Sequence, residues 1–144
     1  VVEEPEVRVC HREVPWLPSR VWQAGAGSAS SVEPWTAATM DVRTPLAIGA
    51  TDIDPGCYAW VCTKDEEGQP VLELRRLNLP EGSLPDPHEV RTVIGDGLFR
   101  MPLVFDTAAG TSPHLTMELS VGSEGLRLKT RYGDGEAETT FRKR

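Results

Sequence analysis

Residues Leu126-Arg127-Leu128-Lys129-Thr130-Arg131 alternate a core-seeking side chain with a basic one at every step. A strand sends successive side chains to opposite faces, so this stretch is a ribbon with one dry face and one wet face. A helix of the same residues would scatter Leu126, Leu128 and Thr130 around its circumference and bury no common stripe. The rhythm continues outward in both directions. Upstream, Leu115, Met117, Leu119 and Val121 alternate, and Gly122-Ser123-Glu124-Gly125 supplies a turn between the two runs. Downstream, Gly133-Asp134-Gly135 is a second turn, with a further strand over 136–142. Gly and Asp at such positions tolerate the positive φ of tight hairpins.

Working further out, Val7 and Val9 alternate, as do Leu72 and Leu74, with Asp65-Glu66-Glu67-Gly68 and Gly95-Asp96-Gly97 as additional turns. The spacing predicts about eight strands, near 6–14, 36–44, 56–63, 70–78, 89–94, 98–106, 114–121 and 124–132. Short strands separated by Pro and Gly make an all-β fold, an antiparallel β-sandwich of jelly-roll or immunoglobulin-like type. Two stretches break the rhythm. Residues 15–35 form one long irregular connection containing three of the four Trp, and 79–88 form a Pro-rich loop. Long loops on compact domains are enriched in function.

The 144 residues suit one domain over 1–144, with residues 1–6 as a solvated arm. The net charge of −7 argues against a nucleic-acid or anionic-membrane partner. No apolar run approaches the ~20 residues that span a bilayer as a helix. The chain starts at Val1, as a processed or excised product would. The cysteines are Cys10, Cys57 and Cys62. On one strand, Cys57 and Cys62 face opposite ways, so they do not pair with each other. Pairing of Cys10 with either one, or three reduced thiols, both fit the sequence. No paired short spacing of cysteines marks a zinc site.

Motifs for chemistry are sparse. Gly25-Ala26-Gly27-Ser28 lacks the third glycine of a dinucleotide loop and the Lys of a P-loop, so no nucleotide or other cofactor is expected. Asp52, Asp54, Asp65, Glu66 and Glu67 do not follow the alternate spacing of an EF-hand and read as solvated turns. No metal is expected. His11, His88 and His114 stand alone, without a nucleophile motif nearby. That leaves the tryptophans. In the 15–35 connection Trp22 and Trp35 offer stacking area, while Gln23, Ser28 and Ser30 offer hydrogen bonds, a combination suited to shallow ligand recognition. Core or loop-anchoring indoles are the competing reading.

Trp22, Gly25, Ala26, Ala29 and Ser30, followed by Ile53, Pro55, Gly56 and Tyr58, resemble the pattern W-R-x-G-A-N-x-A-T … I/L-x-A/P-G-x-Y of a family of exported bacterial domains of unknown function. Gln23 and Gly27 stand where that family has Arg and Asn. The resemblance implies an exported β-sandwich, periplasmic or extracellular after signal removal, without an assigned activity. The Pro55-Gly56-Cys57-Tyr58 piece is also similar to transthyretin-like sandwiches.

Together these readings lead to a non-catalytic binding or cell-envelope module whose partner is a small molecule, a glycan or an envelope protein. Two alternatives accompany it. One is a small hydrolase pairing a loop Ser with His88 or His114. The other is a transthyretin-like accessory domain cut from a longer chain, with its termini at opposite ends and an apolar docking patch.

Overall fold

The computed structural model describes residues 1–14, 35–90, 94–105 and 112–144. Their strands are β1 (Val2–Glu3), β2 (Val7–His11), β3 (Trp35–Val42), β4 (Leu46–Ile48), β5 (Thr51–Ile53), β6 (Gly56–Lys64), β7 (Pro70–Leu77), β8 (Ile94–Pro102), β9 (Val104–Phe105), β10 (Ser112–Gly122), β11 (Gly125–Gly133) and β12 (Gly135–Lys143). The first sheet has six strands in the order β1-β2-β3-β6-β7-β8, and the second has β10-β11-β12-β4-β5 with β9 also paired to β12. Every pairing is antiparallel. The expected all-β sandwich is the observed architecture.

The inner faces meet in one core. Val7, Val9, Met40, Tyr58, Trp60, Leu72 and Leu74 come from the first sheet, and Leu115, Met117, Leu128, Tyr132 and Phe141 from the second. Trp60 is fully buried and meets Phe99 edge-on at 6.5 Å between centroids. In β11 the alternation works as the sequence implies: Leu126, Leu128, Thr130 and Tyr132 are buried, while Arg127 is exposed and Lys129 and Arg131 are half-buried.

Three expected turns are hairpins. Gly122 pairs with Gly125 across Ser123-Glu124, and Tyr132 pairs with Gly135 across Gly133-Asp134, where Gly133 has φ +60°. In the third, Asp65 Oδ1 accepts the backbone N–H of Glu67 and of Gln69, and Gly68 takes φ +78°. Gly95-Asp96-Gly97 is a correction. It lies inside β8, and neither glycine has a positive φ. A Cβ at Gly97 would land on the Glu73 carboxylate, and one at Gly95 would press on the Arg76 carbonyl, so these glycines answer to neighbours rather than to a bend.

Other departures share that origin in tertiary contacts. Of the strand expected over 89–94, residues 91–93 lie outside the described residues; before them a single 3₁₀ turn spans Pro87–Glu89, with the Asp86 side chain accepting the His88 N–H, and after them Ile94 opens β8. Residues 46–53 form an unanticipated hairpin, β4–β5, around Gly49 at φ +56°. This hairpin leaves the first sheet, pairs with β12 in the second, and the chain then returns as β6. In the stretch 1–6, Val2–Glu3 pairs with β2, and Val2 packs on the core, while Val1, Glu3 and Pro5 stay exposed. Glu6, in the turn between β1 and β2, lies 3.3 Å from Lys143 of β12.

Candidate functional site

Of the 15–35 connection, residues 15–34 lie outside the described residues, and the described chain stops at Val14 and resumes at Trp35, the start of β3. Both roots are fastened at one rim. Leu115 N–H donates to the Val14 carbonyl at 2.9 Å, tying the loop's start to β10 in the other sheet. Arg12 N–H donates to the Ala37 carbonyl at 2.9 Å, at the bulge that interrupts β3 pairing between Thr36 and Ala38. Trp35 opens β3 and packs half-buried against the core. Its ring meets Tyr132 edge-on at 5.9 Å and 67°, and the Arg12 guanidinium lies 5.5 Å from its centroid. The indole Nε1 is buried without an acceptor. Trp22, Gln23, Ser28 and Ser30 lie outside the described residues. Arg12 and Tyr132 were missed in the sequence, although a signal for one existed: the Leu126, Leu128, Thr130 alternation extends one more step to Tyr132.

The 79–88 loop has a structural task. Residues 79–90 run back over the outer face of the first sheet, where Val90 and Leu79 cover Cys57, Ala59, Val61 and Leu77. Thr39 Oγ1 donates to the Pro85 carbonyl at 2.6 Å and Arg8 donates to the Gly82 carbonyl at 3.0 Å, holding this strap down.

Two carboxylates are buried on that same outer face, and each is gripped by two arginines. Asp41 Oδ2 accepts from Arg8 at 2.9 Å and from Arg43 at 3.3 Å. Glu73 accepts from Arg75 and from Arg100, both at 2.7 Å. Burial pushes the Glu73 carboxyl up, but hydrogen bonds and charge from Arg100 and Arg75 outweigh it and hold the group below its ordinary range. Asp52 and Asp54, expected as solvated turn residues, flank Arg144 at 3.5 and 2.6 Å. The hydrogen bond and charge from Arg144 hold Asp54 low.

The thiols are all reduced. Cys57 and Cys62 face opposite sides of β6, as their offset implies: Cys57 under the strap and Cys62 in the main core. Burial, with help from the Asp41 charge, raises Cys57 to about 11, and burial raises Cys62 as well. A thiol so placed is a poor nucleophile.

The histidines occupy three different elements. His88 is on the strap, His114 on β10, and His11 on β2 with Nδ1 3.1 Å from the Arg12 carbonyl oxygen. Among the described residues, neither His88 nor His114 has a ring nitrogen bonded to a serine or a carboxylate, and no group of three His, Cys, Asp or Glu side chains is placed to hold a metal. Ser28 and Ser30, the hydroxyls of the hydrolase alternative, are outside those residues.

A cleft of about 460 Å³ opens on the second sheet between Pro102 and Val104 on one side and Asp134, Glu136 and Glu138 on the other. Glu136 is matched by Lys129 at 3.2 Å and Glu138 by Arg127 at 3.1 Å. None of the expected site residues lines it. Compared with protein-family models, curated proteins and solved structures, the chain finds no match.

Proposed function

We propose that the chain is a non-catalytic recognition module of an exported protein, and that the 15–35 connection carries the contact. The observation that supports this reading most directly is the rooting of that connection at one rim. Hydrogen bonds at Val14 and Ala37 and the wedged Trp35 ring present the segment from a rigid frame. Recognition loops on β-sandwiches work this way, since a fixed base lowers the ordering cost of binding. Trp22 supplies a stacking face, and Gln23, Ser28 and Ser30 supply hydrogen bonds. A sugar, with apolar ring faces and peripheral hydroxyls, matches that set, as does another small polyhydroxylated molecule.

The chemistry of the frame supports binding over catalysis. Asp41 and Glu73 are already committed to arginine pairs, and the Cys57 and Cys62 thiols are held protonated. Glu73 is held ionised and the two thiols are held protonated, so none of these three is poised to exchange a proton near neutral pH.

The test is a glycan panel read by intrinsic Trp fluorescence and calorimetry on the wild-type chain and on Trp22→Ala. The expected result is a bound sugar whose signal disappears in a Trp22→Ala variant with an unchanged melting temperature. Unfolding of Trp22→Ala would make Trp22 a core residue and overturn the reading.

A further inference from the structure

We infer that Cys57 is a modification site gated by the 79–90 strap: when the strap lifts, the thiol exchanges with a low-molecular-weight disulfide, and the adduct holds the strap open. Cys57 and Cys62 are both buried, but by different layers. Cys62 points into the core between the sheets, so it meets solvent only when the sandwich comes apart. Cys57 points to the outer face of β6, where Val90 and Leu79 of the strap lie over it together with Ala59, Val61 and Leu77. Lifting one segment is enough to uncover it. That segment is lightly held. Between Pro80 and Glu89 only Pro87 is buried, and the side chains of Thr39 and Arg8 tie the strap down through the Pro85 and Gly82 carbonyls. Gly82 has φ +84° and open space where a Cβ would sit, so the backbone turns there without a clash. Segments with few buried contacts open at a lower free energy than the whole fold.

A second feature marks the space beneath the strap. Asp41 stands opposite Cys57 in register and is 1% exposed. Its Oδ2 takes both Arg8 and Arg43, whereas its Oδ1 is buried without a hydrogen-bond donor. A buried carboxylate oxygen in that state is costly, and it asks for an N–H or O–H group. A disulfide of the glutathione class carries amide N–H groups, so an adduct on Cys57 brings Oδ1 its missing donor. Arg43, which reaches water beside Asp41, suits the carboxylates of the same adduct.

With the strap closed, burial and the Asp41 charge keep the Cys57 thiol protonated and out of reach. With it lifted, the thiol gives its proton to water and the sulfur attacks one sulfur of the small disulfide. The S–S bond of the reagent breaks, a Cys57–S–S–R bond forms, and the departing thiolate takes up a proton. Cys57 is oxidised and half of the reagent is reduced to a free thiol, which closes the balance. The adduct occupies the place of Val90 and Leu79, so the strap reseats only after a thiol reductant has removed it.

The experiment incubates the wild-type chain and Cys10→Ser with oxidised glutathione without denaturant, assigns adducts by peptide mass and probes the strap with a Glu-specific protease. Cys10→Ser removes the half-buried thiol that lies opposite Thr39, leaving the two deep ones to be compared. The expected result is an adduct at Cys57 that forms at least about tenfold faster than at Cys62. Cleavage after Glu81 and Glu89 should accompany it, and dithiothreitol should restore protection. Thr39→Val should speed the Cys57 adduct about fivefold. Leu119→Ala, which weakens packing of the second sheet, should speed modification of Cys62 and leave Cys57 unchanged. Equal rates at the two thiols, or no adduct, would tie Cys57 to global unfolding and overturn the proposal. So would a Cys57 adduct whose strap stays protected.

Discussion

The outer faces of the two sheets have opposite characters. On the second sheet, Arg127, Lys129 and Arg131 face Glu136 and Glu138 across neighbouring strands, and all of them reach water. On the first, Ala59, Val61 and Cys57 are as deeply buried as the core, beneath the 79–90 strap, with Asp41 and Glu73 shut in among them. One sheet is two-layered and the other is effectively three-layered. The difference teaches where a sequence pattern can be trusted. A strand with one wet face alternates, whereas a strand buried on both faces loses its period.

The sharpest way to break the comparison is to put the same charge on both faces. Val61→Asp places a carboxylate opposite the buried Glu73 and beneath the strap, and should cost about 3–5 kcal/mol or prevent folding. Thr140→Asp, beside Arg127 on the second sheet, should change urea-unfolding stability by less than ~0.5 kcal/mol. Equal effects would mean that the strap does not seal the first sheet.

Next in size is Glu73→Ala, which leaves Arg75 and Arg100 facing each other without their shared anion. Both arginines retain access to water, so a loss of about 1–3 kcal/mol is expected. Acid titration sharpens the point. Because the folded-state carboxyl titrates below its ordinary 4.5, Glu73 contributes stability that is present above 4.5 and lost as pH falls through the lower folded value. Glu73→Gln should flatten that part of an acid-unfolding curve, and an unchanged curve would show that the arginine pair does not hold the charge.

Thr39→Val removes the hydroxyl bond to the Pro85 carbonyl with little change in shape. A cost of about 1 kcal/mol is expected, with faster amide exchange and proteolysis confined to 79–90. Uniform loss of protection would instead show that strap and sheet open together. The smallest effect belongs to the solvated face. A double-mutant cycle on Arg127 and Glu138 should return a coupling of about 0.2–1 kcal/mol that salt weakens.

Much of the fold was readable where local chemistry was decisive. The alternation of β11 and the hairpins at Asp65–Gly68, Gly122–Gly125 and Gly133–Gly135 depend on neighbours in sequence. The misreadings arose where distant partners decide. Gly95 and Gly97 look like a turn until Glu73 and the Arg76 carbonyl are seen to need their missing side chains. Asp52 and Asp54 are exposed, as the sequence implied, but their pairing with Arg144 could not be read from it. The strap over 79–90 was noticed for its prolines, yet the apolar face it covers is spread over β6, β7 and the strap itself. Of the candidate site, Trp35 was legible as an exceptional residue. Its pairing with Tyr132 depends on the sandwich closing, which no local pattern reveals.

The path of the chain between sheets has a consequence for how this protein comes into being. β4 is committed to the second sheet but pairs there with β12, which is synthesised some ninety residues later, and β5 joins that sheet only through β4. Until residues 135–143 emerge from the ribosome, the β4–β5 hairpin has no strand to join, and Ile48 and Ile53 have only half a core to enter. Loop closure over such separations is slow, and the nascent chain exposes apolar edges while it waits. Assembly of the second sheet therefore depends on β12, and a nascent chain that has not yet made it holds the β4–β5 hairpin apart from β10 and β11.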